Sequence, residues 1–151
     1  MRRISLALAL VPLLCGFTCG HVQEEGRYAF VADQILTDTC QLLAPGADAG
    51  HGTLRVLGND VRIDDFAVQG AAMQLVGAYQ WNVEDFYLDG SGANVSATVG
   101  GQACLWDLVS VSLTAITDDP THFHGSMRIN DQAQTRPACQ CQATLTFHAK
   151  Q

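Results

Sequence analysis

Most of the chemistry open to this 151-residue chain rests with its six cysteines and five histidines. Cys139 and Cys141 stand one residue apart in PACQCQATLTFH, residues 137–148. Such a C-x-C can be half of a metal site, a redox pair, or the anchors of two structural disulfides. A four-cysteine zinc site usually shows C-x-x-C pairs, and Cys40, Cys104, Cys139 and Cys141 contain none. A redox pair needs an exposed thiolate of lowered pKa beside a helix N-terminus or a cation, and the surrounding residues supply neither. Two disulfides remain. In an extended strand residues two apart have Cβ atoms about 6.6 Å apart, whereas a disulfide wants about 3.5–4.5 Å. Cys139 and Cys141 therefore do not bridge each other, and their partners are Cys40 and Cys104, in one of two pairings.

The histidines raise a second possibility. His122 and His124 share the polar face of one alternating run, and a tight hairpin register brings His148 opposite His122. Three imidazoles on one sheet face can hold Zn²⁺ or Cu²⁺. All three sit among Ser, Arg and Thr, where exposed histidines need no special role, so no metal and no cofactor is assigned. Nor does a catalytic motif emerge. There is no G-x-S-x-G elbow, and the adjacent Glu84 and Asp85 project to opposite faces of a strand. Asp107 has the inward parity of Leu105 and Val109, which reads as a strand end whose alternation has not yet settled. Asn94 opens an N-V-S glycosylation sequon on the polar side of its run.

These residues need a scaffold, and the first twenty residues say where it works. Arg2 and Arg3 precede an apolar run from Ile4 to Leu14, followed by small residues and an acidic stretch, the layout of an export signal. The run falls well short of the roughly 20 residues of a membrane-spanning helix. Cleavage after Gly20 places Thr18 and Gly20 at the small-residue positions, leaving residues 21–151 as one domain. Cys19 is the alternative, as the lipid-modified cysteine of a lipoprotein. The leader holds two of the eight basic residues and none of the fifteen acidic ones. The exported remainder is strongly acidic, which argues against nucleic acid as a partner, since that needs clustered Lys and Arg. No transmembrane segment is expected in the mature chain.

Beyond the leader the hydrophobic pattern has period 2, the mark of half-buried strands. In TLRVLGNDVRID the pair Gly58-Asn59 makes a two-residue hairpin turn, setting Val56 against Val61 and Leu54 against Ile63. Arg55 then faces Arg62 and requires a nearby Asp. A Gly-rich turn is expected at Asp89 to Gly92, with Val95, Ala97 and Val99 alternating after it. Three more runs follow: Val109 to Ala115, Phe123 to Ile129, and Cys139 to Phe147. A first strand lies in GRYAFVADQIL, Gln74 to Asp89 is one strand or two broken near Trp81-Asn82, and Gln41 to Gly52 is a loop. The total is eight or nine strands, one face dry and one wet. Short connections favour an antiparallel meander closed into an eight-stranded up-and-down barrel, since closure removes exposed edges. A two-sheet β-sandwich is the second choice, because Cys40, Trp81 and Cys104 do not have immunoglobulin spacing.

GRYAF, with Gly26, Arg27 and Tyr28, resembles the first strand of lipocalin and calycin barrels, where the motif is G-x-W. Tyr28 takes the place of the tryptophan; the T-D-Y loop motif and the late arginine of those proteins have no counterpart. The resemblance implies an eight-stranded barrel with an apolar ligand cavity open at one end. Two readings follow: an exported non-enzymatic barrel holding a small apolar ligand, or a structural or protein-interaction module of the envelope or secreted fraction with a filled core. Intact-mass analysis of the exported, unreduced protein is expected to show a chain starting at His21 with no free thiol; four free thiols would remove the disulfide framework.

Overall fold

The computed structural model describes residues 23–68, 71–80, 84–131 and 137–151. The leader with Cys19, and Trp81, fall outside them. Eight strands run in chain order: β1 Gly26–Asp38, β2 Asp48–Leu57, β3 Asp60–Val68, β4 Ala71–Tyr79, β5 Asp85–Val99, β6 Gln102–Asp119, β7 His122–Asp131 and β8 Gln142–Lys150. Each pairs antiparallel with the next and β8 pairs with β1, which closes the barrel. The sole other regular element among the described residues is a 3-10 turn at Pro137–Cys139.

The β2–β3 hairpin follows the expected register: Val56 pairs with Val61, Leu54 with Ile63 and Arg55 with Arg62. Gly58 takes φ 63°, the left-handed conformation that a two-residue turn requires and that glycine adopts without a Cβ clash. Asp64 lies 4.0 Å from Arg55 and 3.4 Å from Arg62, and Glu25 lies 3.4 Å from Arg55, so carboxylates offset the paired cations.

Three boundaries differ from the sequence reading. Asp89 to Gly92 is no turn: β5 runs through it without a break. Gly90 belongs there because the backbone of β4 comes close, while Gly92 faces the side chains of Met73, Val95 and Val109. A Cβ on Gly90 would strike the Gln74 carbonyl oxygen. The loop after Cys40 ends earlier than expected, since Asp48 to Gly52 already belongs to β2. Cys139 and Cys141 precede the last strand, which begins at Gln142.

The strand pair β5–β6 also changes face midway. Phe86 and Leu88 point inward in β5, but so do Val95 and Val99, of the opposite parity; in β6 the inward row passes from Cys104 and Trp106 to Val109, Val111 and Leu113. Asn94, at φ 55°, marks the switch. Ala93 pairs with Leu108 and Val95 with Trp106, so both strands turn over at one level and register is kept. Asp107 is therefore outward and exposed, not on the dry face.

Along the barrel axis Tyr28, Phe30, Phe66, Phe86, Phe123 and Phe147 are all fully buried. Their rings touch edge-on or tilted, with centroids 5.1 to 6.2 Å apart, the separations that aromatic quadrupoles favour. Each such side chain contributes about 1.5–3 kcal/mol by leaving water. Tight strand crossing puts a second demand on small residues: a Cβ on Gly125 would collide with the Thr114 carbonyl oxygen across the β6–β7 ladder. Gly125→Ala is expected to lower stability by about 1–3 kcal/mol or more, measured as a lower urea midpoint with unchanged slope.

Candidate functional site

Strand direction alternates, so the ends of β1, β5 and β7 and the starts of β2, β6 and β8 gather at one mouth of the barrel. Both disulfides are there. Cys40 bonds Cys141 across a Cα separation of 4.9 Å, and Cys104 bonds Cys139 across 5.7 Å. The first joins the residues just beyond β1 and just before β8, at the seam that closes the barrel. The second ties the start of β6 to the 3-10 turn, where Trp106 Nε1 donates to the Cys139 carbonyl at 3.0 Å. Leu42 and Leu43 of the following loop pack half-buried against the core, so this mouth is covered. Two bridges of this kind accord with an oxidising compartment.

The opposite mouth is closed by hydrogen bonds. Gln23 is buried although polar, at 3% exposure. Its amide nitrogen Nε2 donates to the carbonyls of Asp119 at 2.6 Å and His122 at 3.0 Å, and its backbone N–H donates to the Tyr79 hydroxyl at 2.9 Å. The Tyr28 hydroxyl lies 3.0 to 3.1 Å from three acceptors: Gln23 Oε1, the Glu24 carbonyl and the Pro120 carbonyl. Burial, aided by the Glu24 charge, pushes the Tyr28 phenol up to about 12. Tyr28 is the residue that suggested the barrel family; here it has a local role as a polar stopper.

On the outside, the β2–β3 hairpin and β4 border a groove of ≈ 620 Å³ lined by Arg55, Val56, Leu57, Arg62 and Val76. Leu57 is 82% exposed at its rim. β1 starts opposite Leu54, and beyond that point the Glu25 carboxylate accepts the Val56 N–H at 3.0 Å. That bond holds the Glu25 carboxyl below the usual range.

The histidines lie on the outer face, in a register that corrects the expected one. His148 pairs with His124, and His122 pairs with Lys150. The one-pair slip arises because the β7–β8 connection passes through the 3-10 turn and Cys141 before β8 begins, a length the alternation does not reveal. Each imidazole meets its own carboxylate through Nδ1: His122 with Asp119 at 2.9 Å, His124 with Asp118 at 2.7 Å, His148 with Asp33 at 2.6 Å. His122 and the Thr121 backbone N–H hold the Asp119 carboxyl down at about 2. Asp33, Asp118 and Asp119 were not singled out in the sequence; the Asp118-Asp119 turn was the available signal for two of them. Among the described residues no group of three or more His, Cys, Asp or Glu side chains is gathered to hold a metal.

No family model matches the chain, and comparison with curated proteins and with solved structures gives no match. The closed eight-stranded barrel is compatible with the lipocalin-like architecture that Gly26-Arg27-Tyr28 implies.

Because burial opposes the Tyr28 phenolate, the folded-state value lies above the ordinary 10.0 at about 12. The stability this group contributes is full below pH 10 and is lost as pH rises through about 12. Denaturant midpoints are expected to fall across that alkaline window, and the fall should shrink in Tyr28→Phe, which should also cost about 1 kcal/mol at neutral pH for the lost hydrogen bond.

Proposed function

We propose that this chain is an exported, non-enzymatic barrel that acts through its outer surface, as a structural or protein-interaction module of the envelope or secreted fraction. The observation that carries this reading is the filled axis. Six buried aromatic rings occupy the space where a carrier would hold its ligand, and both mouths are covered, one by disulfides and Leu42-Leu43, the other by Gln23 and the two tyrosines. A carrier of a drug-sized molecule needs a preformed space of about 300 Å³ or more, lined by apolar groups with a few polar ones. The apolar side chains here spend their surface on one another.

Export is supported by the leader-like first twenty residues and by the two bridges, which persist in oxidising compartments. Whether the leader is removed after Gly20 or a lipid is attached at Cys19 changes the tether and leaves the barrel as it is. Outward rows such as Ser110, Ser112 and Thr114 are polar while inward rows are apolar, the reverse of a membrane-spanning barrel. Among the described residues no helix is long and apolar enough to cross a membrane.

A ligand carrier and a surface module part company under titration. Trp106, buried near the disulfide mouth, is a built-in reporter. Its fluorescence is expected to stay flat through a panel of fatty acids, retinoids and anilinonaphthalene dyes, and organic extraction of the exported protein should release no lipid. Saturable quenching by one member of the panel would overturn the surface reading and restore the interior ligand.

A further inference from the structure

Four residues on four consecutive strands form a row across the outside of the barrel. Following the sheet from β6 through β7 and β8 to β1, they are Asp118, His124, His148 and Asp33. The two histidines are direct cross-strand partners, which sets their Cβ atoms about 4.5–5.5 Å apart. The two carboxylates stand on the flanking strands, one on each side of the pair. Asp118 Oδ1 meets His124 Nδ1 at 2.7 Å, and Asp33 Oδ1 meets His148 Nδ1 at 2.6 Å.

That arrangement sets the chemistry of both rings. A carboxylate only accepts, so Nδ1 is the protonated nitrogen in each neutral imidazole and Nε2 keeps its lone pair. The two nitrogens of an imidazole face nearly opposite sides of the ring. Drawing each Nδ1 outward to a flanking strand therefore leaves each Nε2 on the side of its ring away from that strand's carboxylate. A carboxylate behind a histidine is also what fixes tautomer and raises basicity in metal-bound imidazoles. Both side chains are 48% exposed, so water reaches them.

We infer that His124 and His148 form a two-imidazole site for a borderline divalent transition-metal cation of the Zn²⁺, Ni²⁺ and Cu²⁺ group, with water in the remaining positions. Imidazole nitrogen suits these ions, whereas Mg²⁺ and Ca²⁺ call for an oxygen shell. Two protein ligands rather than three agree with the absence of any larger cluster among the described residues. His122 stands outside the site. It faces Lys150, and Asp119 of its own turn holds its Nδ1, so it serves as an internal control. The inference is independent of what the outer surface binds otherwise.

The experiment is a Zn²⁺ titration of the full chain, disulfides intact and any free thiols alkylated, followed by the imidazole nitrogens in NMR. The Nε2 signals of His124 and His148 are expected to move together to a shared saturation point while their Nδ1 sites stay protonated. His124→Gln should abolish the response of His148, and His148→Gln that of His124; His122→Gln should leave both unchanged. Asp33→Asn should weaken binding about 10–100-fold, the usual loss when a supporting carboxylate is removed. The inference is overturned if the two histidines do not respond, if each responds without the other, or if loss of His122 weakens binding as much as loss of either.

Discussion

Pairing of the first strand with the last is the constraint on which the rest of this molecule depends. β1 meets β8 from Ala29 opposite Lys150 to Asp38 opposite Ala143. Until that contact forms, the other seven ladders make an open sheet with two bare edges and a wet apolar face. Chain entropy opposes it more than any other pairing, because the loop it closes includes nearly the whole domain. The Cys40–Cys141 bridge, 101 residues apart in sequence, sits at one end of this seam. In the chain-entropy account a loop of that length gains about 4–5 kcal/mol from its cross-link. The bridge thus offsets the least favourable step of the fold at the place where it occurs.

Closure divides the side chains into two populations with different tasks. Inside, aromatic rings pack against one another, and the small residues Ala143, Ala149 and Gly125 accommodate them beside the closing seam. Outside, charge is managed locally: each of three histidines has its own aspartate, and the opposed Arg55 and Arg62 share Asp64. The interior is packed by apolar side chains, and the pair His124–His148 lies on the exposed outer face.

Much of this was legible in the chain itself. Alternation of period 2, read from Val109 to Ala115 and from Phe123 to Ile129, identifies inward rows because one face of a closed sheet must be dry. Gly58-Asn59 identifies its hairpin because few residues tolerate that turn. Cysteine counting left two pairings, because residues two apart on a strand cannot bridge each other. Where the reading slipped, alternation was interrupted by something without a local signature. Asn94 turns β5 over at one residue, glycines 90 and 92 look like a turn but lie inside β5, and the 3-10 turn at Cys139 mimics the parity of the strand that follows it.

By itself, then, the sequence determined the all-β class, most of the strands and the set of bridging cysteines, since each follows from residue type and spacing over short stretches. Only the tertiary structure decided that Cys40 takes Cys141, that His148 faces His124, that Asp33 and Asp118 stand behind them, and that the rings fill the axis. Those outcomes depend on the register between strands far apart in the chain and on side-chain volume summed around a closed circumference. Neither quantity is carried by any local pattern of residues.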